Sequence, residues 1–361
     1  MSLDIELRVD GQVYVGWTSA SISLGIEQMA GAFGLELTRR WPGVAAVRPV
    51  RPGALCEVFI GQKKVITGYV DEDRARLDAT SSGFSVAGRS RTADLIDCAA
   101  IHASGQWSGR TLTQIASDLA RPFGISVRAE TNVGAPFPTF SLQEGETVFD
   151  ALDRAARLRG VLLSSDAEGN LVILRARTVR SPGELVEGRN LLSVNVSRSM
   201  RDRFSRYLVK GQARGDDQDF GQSVAGPSAL VSDAAVPRYR PTILLAEEQG
   251  AALARRAEWE KTIRTGRALS VEVEVAGFEA APGYLWQPNT RVRCEAPGVG
   301  VSSELLIAAA TYRMDGSGRR TSMTLYPPEA YAPEVPPPQS RLARHFGRPP
   351  AATPDALGEL V

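Results

Sequence analysis

Apolar residues recur at every second position in short runs near both ends of this 361-residue chain, the period a half-buried β-strand requires. Leu3, Ile5, Leu7 and Val9 alternate with polar residues, Asp10 and Gly11 make a hairpin turn, and Val13, Val15 and Trp17 continue the pattern. Further short strands are predicted at 21–27, 55–60, 65–70 and 83–87. With no long helical pattern among them, residues 1–90 predict a small β-barrel or sandwich, read as a barrel. The pattern returns over 181–332, with strands expected at 191–196, 207–211, 269–275, 291–295, 304–312 and 321–326. Leu269, Val271, Val273 and Val275 face one way there, while Ser270, Glu272 and Glu274 face the other. This block reads as a second strand-rich domain. A polar loop, 214–236, and a helix, 247–265, ended by Gly266, are inserted into it.

Residues 91–180 change period and read as an α/β unit. Thr111 with Gln114 is a capping box: the threonine oxygen accepts from a first-turn amide and the glutamine reaches back. Leu112, Ile115 and Leu119 then line one helical face, and Pro122 with Gly124 stops it. Thr147 and Asp150 start a second helix, with Val148, Leu152, Ala155 and Leu158 as its buried stripe and Gly160 as its stop. Strands at 161–164 and 171–175 flank a hairpin turn. Residues 333–361 are Pro-rich, with few large apolar groups, and read as an extended tail. The fold class is therefore α+β, mainly β: two small β-barrels separated by an α/β unit, plus a helical insertion and the tail.

Chemistry is sparse. Hydrophobic residues make up 43% and charged residues 23%, which excludes global disorder. A net charge of +1 argues against a protein that coats nucleic acid, since that affinity comes from neutralising phosphates. Cys56, Cys98 and Cys294 are widely spaced and form neither a disulfide framework nor a zinc motif, as expected in a reducing cytosol. No apolar run approaches the ~20 residues that span a bilayer and no signal peptide is read, so a soluble protein made in the cytoplasm is expected. Phosphate-loop, dinucleotide, metalloprotease and serine-hydrolase motifs are absent; Gly298 and Gly300 belong to a loop. His102 and His345 lack any nucleophile or metal-ligand context, so His102 reads as a loop or packing residue.

Of the acidic clusters, Asp71, Glu72 and Asp73 read as solvated, and Asp216, Asp217 and Asp219 as a solvated loop with calcium as the functional alternative. Arg198, Arg201, Arg203, Arg206 and Lys210 could contact phosphate, but with charge balanced elsewhere they read as an edge paired with acidic neighbours or a second subunit. Trp17, Trp107, Trp286, Tyr239 and Tyr284 read as core aromatics over interface anchors. No catalytic, cofactor or metal residue is assigned, and no enzymatic activity is expected.

A series of motifs nevertheless stands in order along residues 5–330. It runs Gly16-Trp17-Thr18-Ser19, Val86 to Cys98, Gly105-Gln106-Trp107 with Arg110-Thr111-Leu112, Glu146-Thr147-Val148 and Arg159-Gly160-Val161. It continues with Arg201 to Ser205, Val209 to Ala213, Tyr239-Arg240-Pro241 and Leu285 to Asn289. The series resembles the baseplate hub family of bacteriophage Mu and its prophage relatives, which is similar to the hub part of type VI secretion spike proteins. The resemblance implies a homotrimer that adapts the sixfold tail tube above to the threefold spike below. It also implies contacts with other baseplate proteins, DNA only in transit through a channel, no stable membrane association, and a place in the virion after assembly in the host cytoplasm. In this family two similar barrels per subunit form a pseudo-sixfold ring. No sequence repeat between the two strand-rich blocks is visible, so that equivalence comes from the resemblance alone. A peptidoglycan hydrolase and the hub of a type VI-like or gene-transfer particle are the alternatives.

Overall fold

Alternation of buried and exposed residues runs through most of the strands of the computed structural model, which describes residues 4–38, 50–77, 82–211, 228–246 and 251–332. The first block holds β1 (Ile5–Val9), β2 (Gln12–Tyr14), β3 (Ser19–Gly25), β4 (Ala32–Thr38), β5 (Leu55–Ile60), β6 (Lys63–Leu77) and β7 (Ser82–Ser90). The middle block holds α1 (Ala93–Asp97), β8 (Gln106–Arg110), α2 (Leu112–Ala120), β9 (Val127–Ala129), β10 (Phe137–Ser141), α3 (Val148–Arg157), β11 (Leu162–Ser165) and β12 (Leu171–Leu174). The last block opens with β13 (Leu185–Val186), β14 (Leu191–Arg198), β15 (Arg206–Gly211), β16 (Ser228–Ser232), β17 (Pro241–Ala246) and α4 (Ala251–Arg267). It closes with β18 (Leu269–Ala276), β19 (Glu279–Ala281), β20 (Tyr284–Leu285), β21 (Arg291–Ala296), β22 (Val301–Asp315) and β23 (Gly318–Tyr326). The protein is mainly β with few helices, as its alternation predicts.

The two strand-rich blocks are separated along the chain but joined in space. Strand β22 pairs with β3, Ala309 to Met314 against Gly25 to Ala20, and this links both blocks into one thirteen-stranded sheet. One core serves both: Ile5, Leu7, Ile22 and Leu35 from the first block pack in the same cluster as Val271, Trp286, Tyr312 and Leu325 from the last. The middle block has its own core of Leu112, Ile115, Leu119, Val148, Leu152 and Ile173 around α2 and α3. Both predicted capping boxes form, Thr111 with Gln114 and Thr147 with Asp150. Leu158, expected in the buried stripe of α3, is exposed, because the helix ends at Arg157 and Leu158 caps it beyond the packed face.

A repeat that the residues do not advertise is plain in the strand lengths. Strands β5, β6 and β7 span 6, 15 and 9 residues, and β21, β22 and β23 again span 6, 15 and 9. Both long strands are bulged near their middle, at Val70/Glu72 and at Ile307/Ala309. The bulge bends the strand, so its first half pairs with β5 or β21 and its second half with β7 or β23. Each lobe then contributes four neighbouring strands: β3, β4, β7 and β6 in one, β14, β18, β23 and β22 in the other.

The insertion departs from expectation. Residues 228–232, expected to lie in the 214–236 loop, form strand β16, which pairs antiparallel to β15, while β17 pairs parallel to it on the other side. Leu230 and Val231 are enough to hold a strand once a partner supplies the hydrogen bonds, whatever the flanking serines prefer. Helix α4 packs Leu253 and Ala257 onto this small sheet. It also runs past Gly266 to Arg267. Gly266 is no stop signal; a Cβ there would lie 2.3 Å from the Ala330 amide nitrogen, so the position is glycine to let a neighbouring turn approach. Residues 212–227, with Asp216, Asp217 and Asp219, the start of the predicted helix (247–250), His345 and the tail (333–361) lie outside the described residues.

Candidate functional site

On the side facing away from the shared core, eight consecutive strands, β14-β18-β23-β22-β3-β4-β7-β6, present one broad face. Alternation decides its chemistry. Where Val271, Val273 and Val275 point into the core, Ser270, Glu272 and Glu274 point out; Ala20 and Ile22 point in, and Ser19, Ser21 and Ser23 out. Across the pairing register the outward set continues through Ser193 and Asn195, Ser322 and Thr324, Gly34 and Glu36, and Ser85 and Ala87. Most of these side chains are short. A shallow cleft of about 510 Å³ over β3, β4 and β7, reaching Arg74 and Arg313, lies on this face.

Its charges are of both signs, some paired with each other and some held by neutral groups. Arg74 pairs with Glu72 at 2.6 Å, Arg320 lies 3.9 Å from Glu274, and Arg313 donates to Ser322 at 3.3 Å. Ser19 donates to Glu36 at 3.0 Å and Asn195 to Glu272 at 3.4 Å. Hydroxyls and paired ions keep such a surface wetted without giving it a grip on an anionic polymer.

The face ends in two open edges. Strand β14 has only β18 beside it, and the second half of β6, Asp71 to Leu77, has only β7, among the described residues. At the β6 edge the predicted acidic cluster is partly bridged. Arg89 reaches Asp71 and Asp97, each at 2.7 Å, and Asp97 is held below the usual carboxylate range by its hydrogen bond from Arg89. Asp94 beside them is pushed up, chiefly by burial and then by the Asp97 charge.

Other residues singled out from the sequence are dispersed. The five cations do not form a strip. Arg198 donates to the Val299 and Gly300 carbonyls, Arg203 makes a part-buried pair with Asp233 at 2.6 Å, and Arg206 stacks over Tyr239. Arg201 and Lys210 are exposed. His102 stacks on Trp107 with ring centroids 4.4 Å apart, and Trp107 donates to Asp118. Trp17, Trp107 and Trp286 are core residues, as expected. Tyr239 and Tyr284 are not: they are 75% and 61% exposed, Tyr239 between β16 and β17 and Tyr284 at the start of the two-residue strand β20, and their rings lie against Arg206 and Lys63. Cys56 and Cys294 are buried and Cys98 exposed. Among the described residues no three His, Cys, Asp or Glu side chains converge as metal ligands, and no helix is long and apolar enough to cross a membrane. The polar face itself escapes sequence reasoning, because a pattern of two identifies a wet side but not that eight wet sides are continuous.

Three stretches match known families: residues 4–90 the Mu phage baseplate assembly protein GpP-like N-terminal domain, residues 92–175 the second domain of gp44-like baseplate hub proteins, and residues 250–334 the fourth domain of GpP. The chain is 41% identical over 343 residues to the baseplate hub protein gp44 of Escherichia phage Mu, covering 92% of this chain and 89% of that one. The 43 kDa tail protein of prophage MuSo2 from Shewanella oneidensis superposes with a TM-score of 0.81 at 37% identity, over 92% of this chain and all of that one. At 10% identity, Escherichia coli c3393, a type VI secretion component, shares the fold with a TM-score of 0.59 over 91% of this chain and 79% of its own.

Proposed function

This chain belongs to the baseplate hub family of bacteriophage Mu, and from that membership we propose that three copies close into a ring at the centre of a phage tail baseplate, with the eight-strand polar face lining a channel. The repeat of 6, 15 and 9 residues is the observation that carries the reading. One junction between lobes is made inside the chain, where the bulged second half of β22 pairs with β3. The matching second half of β6, and β14 in the place of β3, are left with free edges at opposite ends of the face. Both ends are complementary and neither serves the other within one copy. Such a heterologous pair closes as a ring, and pairing removes edges that would otherwise recruit other chains.

Strand directions agree with this closure. All seven pairings along the face are antiparallel, so β6 and β14 run in opposite directions and a neighbour's β14 continues the alternation. Three copies then present six similar four-stranded lobes, which suits a part that meets a sixfold tube above and a threefold spike below. The short, charge-balanced lining suits DNA in transit, since a basic wall would hold it. The protein works as an assembly part of the virion tail, built in the host cytoplasm, and its partners are the spike, the tube or its initiator, and other baseplate proteins.

Size exclusion with light scattering, at several concentrations and with the spike partner added, tests the ring. Three chains of 38.8 kDa should elute together at about 116 kDa, in exchange with monomer at low concentration. A persistent monomer or a stable dimer with spike present would sink the reading.

A further inference from the structure

We propose that the small sheet β16-β15-β17 docks, through the face that α4 leaves uncovered, on the acidic shoulder formed by Asp71, Asp94 and Asp97 of the neighbouring copy in the ring. The inference rests on the ring reading above and names a second contact within it.

The sheet is two-faced in an unusual way. Val209, Ala229, Val231 and Leu244 pack toward α4. The other side should be polar if it faced water, as exposed sheet faces normally are. Instead Leu208, Leu230 and Ile243 stand in register across the three strands, with Leu245 beside them. Leu230, Ile243 and Leu245 are 55%, 59% and 71% exposed. An aliphatic row of this kind marks a surface that is covered in the assembled state. Arg206 and Lys210 flank Leu208 on the same face, and exposed Tyr239 lies under Arg206. The surface that covers it should therefore be acidic at its rim.

Topology says which surface that is. The insertion leaves the sheet at Arg198, the end of β14, and returns at Leu269, the start of β18. Antiparallel pairing of Leu191–Arg198 with a neighbour's Asp71 to Leu77 sets the Arg198 end against the Asp71 end. The shoulder is there: Asp71 and Asp97 share one arginine, Arg89, with Asp94 beside them. Three carboxylates face two guanidiniums, Arg89 bridging Asp71 and Asp97 and Arg91 acting on Asp94, so the cluster keeps an excess of negative charge. Ile101, 83% exposed, follows α1 and gives the shoulder an apolar tip.

The junction inside the chain shows how such a site is used. Just beyond β3, Ile26 is buried against Leu306, Ala308, Ala330 and Tyr331, and Glu27 pairs with Arg267 at 2.8 Å. Ile26, just after the first strand of one lobe, thus packs on Ala330 and Tyr331, which follow the last strand of the other, as well as on β22, while Glu27 reaches the end of α4. In the neighbouring-copy junction the corresponding parts are the insertion after β14 and the residues after β7, which include α1.

Sedimentation velocity on the full chain tests the contact. Leu230→Ser with Ile243→Ser should raise the trimer dissociation constant by roughly tenfold or more. The monomer's circular dichroism and melting should stay unchanged, because both side chains are already exposed. Arg206→Glu with Lys210→Glu should weaken the trimer likewise, and adding Asp94→Lys should restore part of the loss. A photo-cross-linking residue at position 243 should capture a peptide from 91–101 of another copy. Wild-type protein that never trimerises would overturn the ring itself. A wild-type trimer whose variants assemble as it does, or a cross-link to any other region or to a different baseplate protein, would overturn this contact and leave the ring standing.

Discussion

Gly68 lies in β6 where that strand passes β7, and a Cβ there would sit 1.8 Å from the Arg89 carbonyl oxygen. Backbone, not a flexible side chain, blocks the space, so the strand has to move. Gly68→Ala should cost about 3 kcal/mol of stability, seen as a lower denaturant midpoint. Burial at this scale also shapes the response to alkali. The Cys56 thiol is pushed up to about 12, chiefly by burial and then by the Asp71 charge, and Cys294 to about 11 by burial and Glu295. Below about pH 9 folded and unfolded chains both keep these protons and the stabilisation is complete. Above that the unfolded chain releases them while the folded chain does not, so stability should fall as pH rises through the folded values. Denaturant midpoints from about pH 8 to about pH 11 should show the decline, and Cys56→Ala should make it shallower. A thiol reagent at neutral pH should label Cys98 alone.

Among elements, α3 depends on its first turn. Thr147 accepts from the Asp150 amide at 3.1 Å, and Asp150 accepts from the Thr147 amide at 3.2 Å, so two orphan donors are satisfied. Thr147→Ala should destabilise the middle block by about 1 kcal/mol, read as a lower melting temperature. Both capping boxes and most strands were legible because each signal lies within a few neighbouring residues. Strand β4 escaped although Phe33, Leu35 and Leu37 keep the alternation, because Gly34 at an outward position lowers the local strand propensity. Strand β16 escaped because its pairing with β15 comes from residues far away along the chain.

For the whole molecule, the neutral lining of the proposed channel is the property to perturb. Ser21→Arg, Ser85→Arg and Ser322→Arg together place nine new cations in a ring of three copies without touching the core. Labelled duplex DNA should pass the wild-type trimer unbound and be retained by the variant, with affinity falling steeply as salt rises. Fluorescence anisotropy at several salt concentrations measures this; retention by the wild type would count against a conducting channel.

Residues near one another in the chain were sufficient for the mainly β class, the α/β unit between the strand-rich blocks, both helix starts and the family resemblance. Period, capping and turn chemistry act over a few positions, so they are written where they act. The tertiary structure alone decided that both blocks share one sheet through β3 and β22, and that their strand lengths repeat. It alone showed that Gly266 is a point of close approach, that Tyr239 and Tyr284 face solvent, and that three aliphatic residues lie bare on the inserted sheet. The reason is physical. Sheets are joined by backbone amides and carbonyls that every residue type except proline supplies alike. Which distant strands meet, and which faces are left uncovered, therefore leaves no local mark in the side chains.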